Sequence, residues 1–418
     1  MEVVPEIFKP NNDHEAYRHG LTKAGLGETG LVKDWLRAAD NSLLQTQKLN
    51  LPYQEIFYIS SVRPEAHGYT FSAKRGQTIT IDVHPENTDT LRMFIDLFRY
   101  DAEKPSRDYE QVASAEKNEY QLHFEVKQDT SYVLRIQPEL LRGGSFKLSI
   151  SAIPSLRFPV QDKDKRAVGS FFGDPRDGGR REHHGIDIFA RRHTPILAPT
   201  DGYIRFAGER GLGGQVIWMM DRQRNLTLYF AHLETILAKQ DTWVSLGDTL
   251  GTVGNTGNAR TTPPHLHFGI YQNGPIDPYY FVSDPGQNPR LIRSDTALVG
   301  KQVRLMKNSF LQSPKGEKEA LEQYQLFEVK AAMASEYRVA LPDGRIGTVP
   351  MKDIEVMNTS ISTDRLPAKA SLLEHHGNRL VTIENLESTK DLTVLAKNSH
   401  LWYVKTADGK KGWIASAQ

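Results

Sequence analysis

The stretch "HHGID" at residues 183–187 sets two histidines and an aspartate within five positions, with Gly185 between them. Imidazole nitrogens and carboxylate oxygens are the donors that hold a borderline cation such as zinc. Along a straight strand rising about 3.3 Å per residue, His183 and Asp187 would stand too far apart to share one ion. Gly185 and the apolar run that follows favour a turn entering a strand instead. That geometry puts His183 on the approaching loop and Asp187 on the first strand residues, both turned to one point. A second stretch, "PPHLHFGIY", carries His265 and His267 two residues apart. In a strand they share a face, about 6 to 7 Å apart at the backbone, so one can ligate while the other reaches a ligated water. In a third, "LYFAHLE", His232 interrupts an apolar run. It reads either as an active-site group or as a buried histidine satisfied by a backbone carbonyl.

The elements that must position these groups follow from composition and period. With 418 residues, 39% hydrophobic and 25% charged, the chain is long enough for several packed domains. Its 52 basic and 51 acidic side chains nearly cancel, which leaves no global field to hold nucleic acid or anionic lipid. No stretch approaches the roughly 20 apolar residues of a transmembrane segment. The start "MEVVPEIFKP" lacks the basic-then-apolar pattern of a secretion signal. Zero cysteines exclude thiol catalysis, thiolate ligands and disulfides, and suit an exported bacterial protein as well as a cytosolic one.

The predicted fold class is mainly β and multidomain. Residues 1–48 form a short helical segment in which Leu31, Trp35 and Ala38 recur at helical spacing. Residues 49–156 switch to period two, as in "YTFSAKRGQTITIDV" and "GSFKLSISA", and predict a jelly-roll-like β-sandwich. Residues 157–288, strand-rich and punctuated by glycines, are the antiparallel sheet that carries the three histidine stretches. Downstream, "YRVALPDGRIGTV" aligns without gaps on "WYVKTADGKKGWI", placing two copies of one small barrel at 297–357 and 367–418. The stretch "NTSISTDRLPAKA" reads as the linker between them.

Taken together, the three stretches resemble the lysostaphin-type (LytM-type) zinc metallopeptidases, whose signatures are His-x-Gly-x-Asp, Ala-His-Leu and His-x-His. All three occur here in the family's order as "HHGID", "FAHLE" and "HLH". The flanks "APTDGYIRFAG", "GGQVIWM", "VSLGDTLGTVGNTG" and "NGPIDPYYF" also look like the family's strands, so the resemblance spans residues 168–282. Gly269 is a departure, since many members carry glutamate after "HLHF". The resemblance implies that His183, Asp187 and His267 bind one zinc ion and that His232 and His265 are the catalytic pair. It implies as substrate a stem or cross-bridge peptide of bacterial peptidoglycan, and as location the periplasm or cell exterior, a secretion signal having been removed. Three protein ligands leave a fourth position for water, the mark of a catalytic zinc. One histidine of the pair takes the water's proton and the other stabilises the oxyanion or protonates the leaving amine; sequence does not say which does which. Glu182 and Glu234 are candidate partners that orient the imidazoles, or else solvated carboxylates. His184 reads as a spacer, and His193, His375 and His376 as solvated. The C-terminal repeats resemble bacterial Src-homology-3-type barrels, with Tyr337, Trp402, Tyr403 and Trp413 as either a wall-binding face or core.

Two rivals remain. Two histidines and a carboxylate also hold iron(II) in oxygenases, but there the carboxylate usually lies two residues after its histidine, and here position 185 is glycine. A non-enzymatic scaffold or activator of wall hydrolases is the other; such proteins typically lose ligands, and this chain keeps all five residues.

Overall fold

The computed structural model describes residues 12–86, 91–100, 108–284, 286, 288–314, 316–365, 369–376, 379–387, 391–398 and 400–415. The side chains of His375 and His376 lie outside this description, so their expected solvation is not addressed.

Two helices open the chain, Asp13–Lys23 and Gly30–Leu44. Each begins where a side-chain oxygen takes an otherwise orphaned backbone N–H: Asn12 accepts from Glu15 and Thr29 from Val32. The second helix buries Val32, Trp35, Ala39 and Ser42. Leu31, expected on that stripe, is exposed; the buried face is set one residue later, where Trp35 also donates its indole N–H to the Pro138 carbonyl at 2.9 Å.

The helices pack on a sandwich of two sheets around one core that includes Phe57, Tyr69, Ile81, Leu97, Leu134 and Leu148. One sheet orders the strands Gln47–Lys48, His67–Ala73, Thr130–Pro138, Met93–Tyr100 and Glu110–Ser114. The other orders Tyr53–Ile59, Gly144–Pro154, Gln77–Pro85 and Gln121–Glu125. The second sheet does not stop at its own edge. Ile56 and Phe57 pair with Ala332 and Ala331, so it continues into the C-terminal region. That junction buries the Glu55 carboxylate beneath Arg338 at 2.9 Å.

The segment with the histidine stretches forms its own antiparallel sheet, ordered Val168–Ser170, Ile186–Phe189, His265–Tyr271, Leu226–Ile236, Gln215–Asp221, Gly202–Glu209 and Trp243–Val244. Ile188, Ile217, Leu228, Phe230, Leu266 and Phe268 fill its core. The sandwich grips one end of this sheet, through Arg75 to Gln272 at 2.5 Å and Glu125 to Arg224 at 2.9 Å. Gln272 lies five residues beyond His267, about 17 Å along an extended strand.

Two further groups of strands end the chain. The first runs Ile354–Val356, Gln302–Leu305, Leu326–Ala332, Glu336–Ala340, Ile346–Pro350, Ser309–Gln312 and Lys318–Leu321. The second runs Ser362–Arg365, Asp391–Asn398, Leu401–Lys405, Lys411–Ala415, Ala370–His376 and Arg379–Leu386. Among the described residues no strand pair closes either ladder into a complete barrel. In the first, Ala331 and Ala332 pair on one edge with Arg338 and Tyr337 and on the other with Phe57 and Ile56 of the sandwich. The expected linker contains a strand, Ser362–Arg365, that pairs with Asp391–Val394. Tyr337, Tyr403 and Trp413 are buried in core clusters, and Lys397 covers the half-buried Trp402 ring at 4.6 Å.

Candidate metal centre

Three neighbouring strands build the site. Ile186–Phe189 pairs antiparallel with His265–Tyr271, which pairs antiparallel with Leu226–Ile236. The register sets Asp187 opposite His267 and His267 opposite Ala231, one row across the sheet. Ile186, Ile188, Leu266 and Phe268 are fully buried in the core, so strand alternation projects Asp187, His265 and His267 from the other face. His183 reaches that face from the turn before the strand. Gly185 permits the turn because a Cβ there would stand 2.6 Å from the Phe268 carbonyl oxygen and 2.7 Å from His267 Cε1.

His232 needs another device. Phe230 and Leu233 are both fully buried although three residues apart, so the alternation breaks between them. The ladder slips there: Ile217 pairs with Phe230 but Gln215 with Leu233, an extra residue on one strand. His232 occupies this bulge with a φ of 62°, in the left-handed region that non-glycine residues adopt at a cost. The strained backbone turns its ring to 5.1 Å from that of His265 and 6.0 Å from that of His267.

The donor atoms converge. His183 Nε2 lies 2.9 Å from His267 Nδ1 and 3.0 Å from Asp187 Oδ1, and those two are 3.1 Å apart. Tetrahedral zinc with bonds of about 2.0 to 2.1 Å spaces its ligands about 3.3 Å apart. The triangle has to open by only a few tenths of an ångström, and its chemistry, two imidazoles and one carboxylate, suits that ion. His265 Nε2 lies 3.9 Å from Asp187 Oδ1, beside the triangle.

Backbone carbonyls orient three of the four rings. Nδ1 of His183 donates to Phe171 at 2.8 Å, Nδ1 of His232 to Thr256 at 2.9 Å and Nδ1 of His265 to Pro263 at 2.9 Å. A carbonyl only accepts, so each Nδ1 carries the proton and each Nε2 faces the site. Burial raises the Asp187 carboxyl, but the adjacent His183 and His267 imidazoles outweigh it and hold the group far below the usual carboxylate range. Burial, then the neighbouring His265 and His267, lowers His232 to about 4. Burial likewise lowers His267, against the pull of Asp187.

The structure thus brings together His183, Asp187 and His267 as one donor cluster, with His232 and His265 beside it. It does not bring Glu182 or Glu234 to the rings: Glu182 is exposed on its strand, and Glu234 is ion-paired with Arg192. His184 is exposed, as expected of a spacer, and so is His193. Sequence reasoning missed Arg176, whose Nη2 lies 3.1 Å from Asp187 Oδ2. Arg176 stands outside the three histidine stretches, and only the pairing of Pro175–Arg176 with Arg181–Glu182 brings it back. It also missed Tyr229, edge-on to His267 at 5.8 Å. Gly269, opposite Tyr229, has the Tyr271 ring and the His184 carbonyl where a side chain would go.

Residues 181–278 match Peptidase family M23. An L-Ala--D-Glu endopeptidase of Bacillus subtilis is 36% identical over 135 residues, 29% of this chain and 41% of that protein. The peptidoglycan DD-endopeptidase ShyC of Vibrio cholerae is 33% identical over 175 residues, 40% of this chain and 36% of that protein. The chain therefore spans less than half the length of these relatives. The catalytic domain of lysostaphin from Staphylococcus simulans is 30% identical, with 27% of this chain and 89% of that one covered and a TM-score of 0.25. The segment that holds the five residues is the one that matches the M23 peptidases.

Proposed function

We propose that this chain is a zinc-dependent endopeptidase that hydrolyses peptide bonds in the stem or cross-bridge of bacterial peptidoglycan, in the periplasm or outside the cell. The observation that carries the reading is the triangle of His183, Asp187 and His267 donors, 2.9 to 3.1 Å apart, with the Nε2 faces of two further imidazoles beside it. The peptidoglycan substrate rests on the names of the relatives. No helix among the described residues is long and apolar enough to cross a membrane.

His183, Asp187 and His267 would hold one zinc ion per chain. When bound, zinc supplies a water of lowered pKa and a Lewis acid for the scissile carbonyl. His265 and His232 do the proton work. Each is fixed at Nδ1 by a carbonyl, which leaves Nε2 free to accept a proton from the attacking water or, once protonated, to give one to the leaving amine. A protonated Nε2 also donates a hydrogen bond to the oxyanion as it forms. The carbonyl of Thr256 stabilises an imidazolium on His232, and that of Pro263 one on His265, by accepting from the ring's other N–H.

The test is digestion of purified peptidoglycans that differ in cross-bridge, with mass identification of the fragments. Release of fragments from at least one wall type, abolished by a chelator, supports the reading. Intact walls with a zinc-loaded protein would overturn it in favour of an activator of other hydrolases.

A further inference from the structure

Asp187 has two oxygens, and the structure gives them different partners. Oδ1 faces the imidazoles, 3.0 Å from His183 Nε2 and 3.1 Å from His267 Nδ1. Oδ2 accepts from Arg176 Nη2 at 3.1 Å. We propose that Arg176 is a positioning residue for the metal centre: by holding Oδ2 it makes Asp187 offer a single oxygen to the ion. The proposal rests on the zinc-centre reading above.

Arg176 is itself held. Its Nη2 also donates to Ser170 Oγ, and Ser170 Oγ donates onward to Asp174 Oδ2 at 2.9 Å. Asp174 is fixed in turn by the Phe171 N–H at 2.7 Å, and the Phe171 carbonyl orients His183. Arg176 and His183 therefore hang from one short stretch, Ser170–Asp174. The guanidinium side chain is only 30% exposed, so a defined geometry rather than a solvated charge is what this position presents.

A guanidinium so near a cation site repels a dication, so raw affinity gives no reason to place it there. It does fix how the carboxylate binds. A free carboxylate rotates about its Cα–Cβ and Cβ–Cγ bonds and can chelate one ion through both oxygens. A carboxylate tied at Oδ2 keeps one oxygen on the ion and leaves positions open for water and the substrate carbonyl, which a catalytic site needs.

The experiment uses the full chain loaded with cobalt(II) as a visible probe and, separately, with zinc. The wild type should give the intense visible bands of a low-coordinate cobalt site. In Arg176→Met those bands should weaken and shift, as chelation by Asp187 raises the coordination number. At saturating zinc the variant should still hold near one ion per chain while kcat falls about ten- to a hundredfold with little change in KM. Arg176→Lys, which keeps a donor in reach, should recover part of both. A cobalt spectrum in Arg176→Met identical to that of the wild type, or an unchanged kcat, would overturn the proposal. So would a Met and a Lys variant that both fail to fold, since Arg176 would then be a structural residue. If the wild type itself binds neither metal, the zinc-centre reading fails first and this proposal falls with it.

Discussion

Replacing Gly185 by alanine asks a methyl group to occupy space the site has already filled. Its Cβ would stand 2.6 Å from the Phe268 carbonyl oxygen, 2.7 Å from His267 Cε1 and 2.9 Å from His267 Nε2. Ordinary contact starts near 3.4 Å, so neighbours must retreat by about 0.5 to 0.8 Å, an overpacking that typically costs about 1 to 3 kcal/mol. The Phe268 carbonyl belongs to the strand paired with Ile186 and is hard to move. The ring of His267 gives way more easily, and in doing so draws Nδ1 from its 3.1 Å approach to Asp187 Oδ1. Loss of ligand orientation on this scale reduces metal affinity about ten- to a hundredfold. The assay is a competitive zinc titration of Gly185→Ala, with calorimetric unfolding of the metal-free chain. Gly20→Ala is the control: it lies in the Asp13–Lys23 helix with nothing within 4 Å of its Cβ, and should gain up to about 1 kcal/mol. If Gly185→Ala binds zinc like the wild type and unfolds at the same temperature, the close approach of backbone to His267 is not what builds the site.

Other consequences are as direct. His232→Ala and His265→Ala should keep their zinc and lose about a hundredfold or more in rate; if His265→Ala empties the site while His267→Ala does not, the two roles are reversed. His14, stacked on Trp35 at 4.4 Å and donating to Gln137, is lowered by burial, and then by Arg135, to about 4. Only the unfolded chain then takes up its proton between about pH 6.5 and 4, so the stabilising contribution is complete above pH 6.5 and lost as pH falls through that window. At pH 5 the loss is about 2 kcal/mol relative to pH 7.5, and urea unfolding of His14→Gln should lack that part of the pH dependence; equal dependence in both proteins would refute it. Arg338→Met leaves the Glu55 carboxylate buried without its cation and should cost about 3 to 5 kcal/mol, much of it recovered when Glu55→Met is added. A single variant as stable as the wild type would show that the pair does not matter to the junction.

The site was legible in sequence where alternation carries the information. His265 and His267, two apart in a strand with Leu266 and Phe268 in the core, fall on one face as period two requires. Gly185 marked the turn that brings His183 beside Asp187. The orientation of His232 was not legible, because it depends on a bulge set by the pairing of Leu226–Ile236 with Gln215–Asp221, a property of two strands together. Carboxylates adjacent in sequence could be read either as partners of the rings or as solvated groups, because adjacency does not fix direction. Glu234 turns to Arg192, while carbonyls from Phe171, Thr256 and Pro263, remote in sequence or on loops, do the orienting. Arg176 was hidden for the same reason. In the fold, the helices, the sandwich strands and the repeated C-terminal hairpins follow from local period and turn residues. The joining of Tyr53–Ile59 to Leu326–Ala332 does not, since edge pairing between segments so far apart leaves no local pattern. Nor did the polar composition of residues 358–370 reveal that Ser362–Arg365 would serve as an edge strand.

The central claim, that His183, Asp187 and His267 hold a catalytic zinc, is tested most directly by measuring metal content and fragment release together on the wild type and on Asp187→Ala. The account predicts about one zinc per wild-type chain, peptidoglycan fragments that cease on chelation and return with added zinc, and a variant lacking both metal and activity. An Asp187→Ala protein that keeps a full zinc complement and releases the same fragments at the wild-type rate would contradict it.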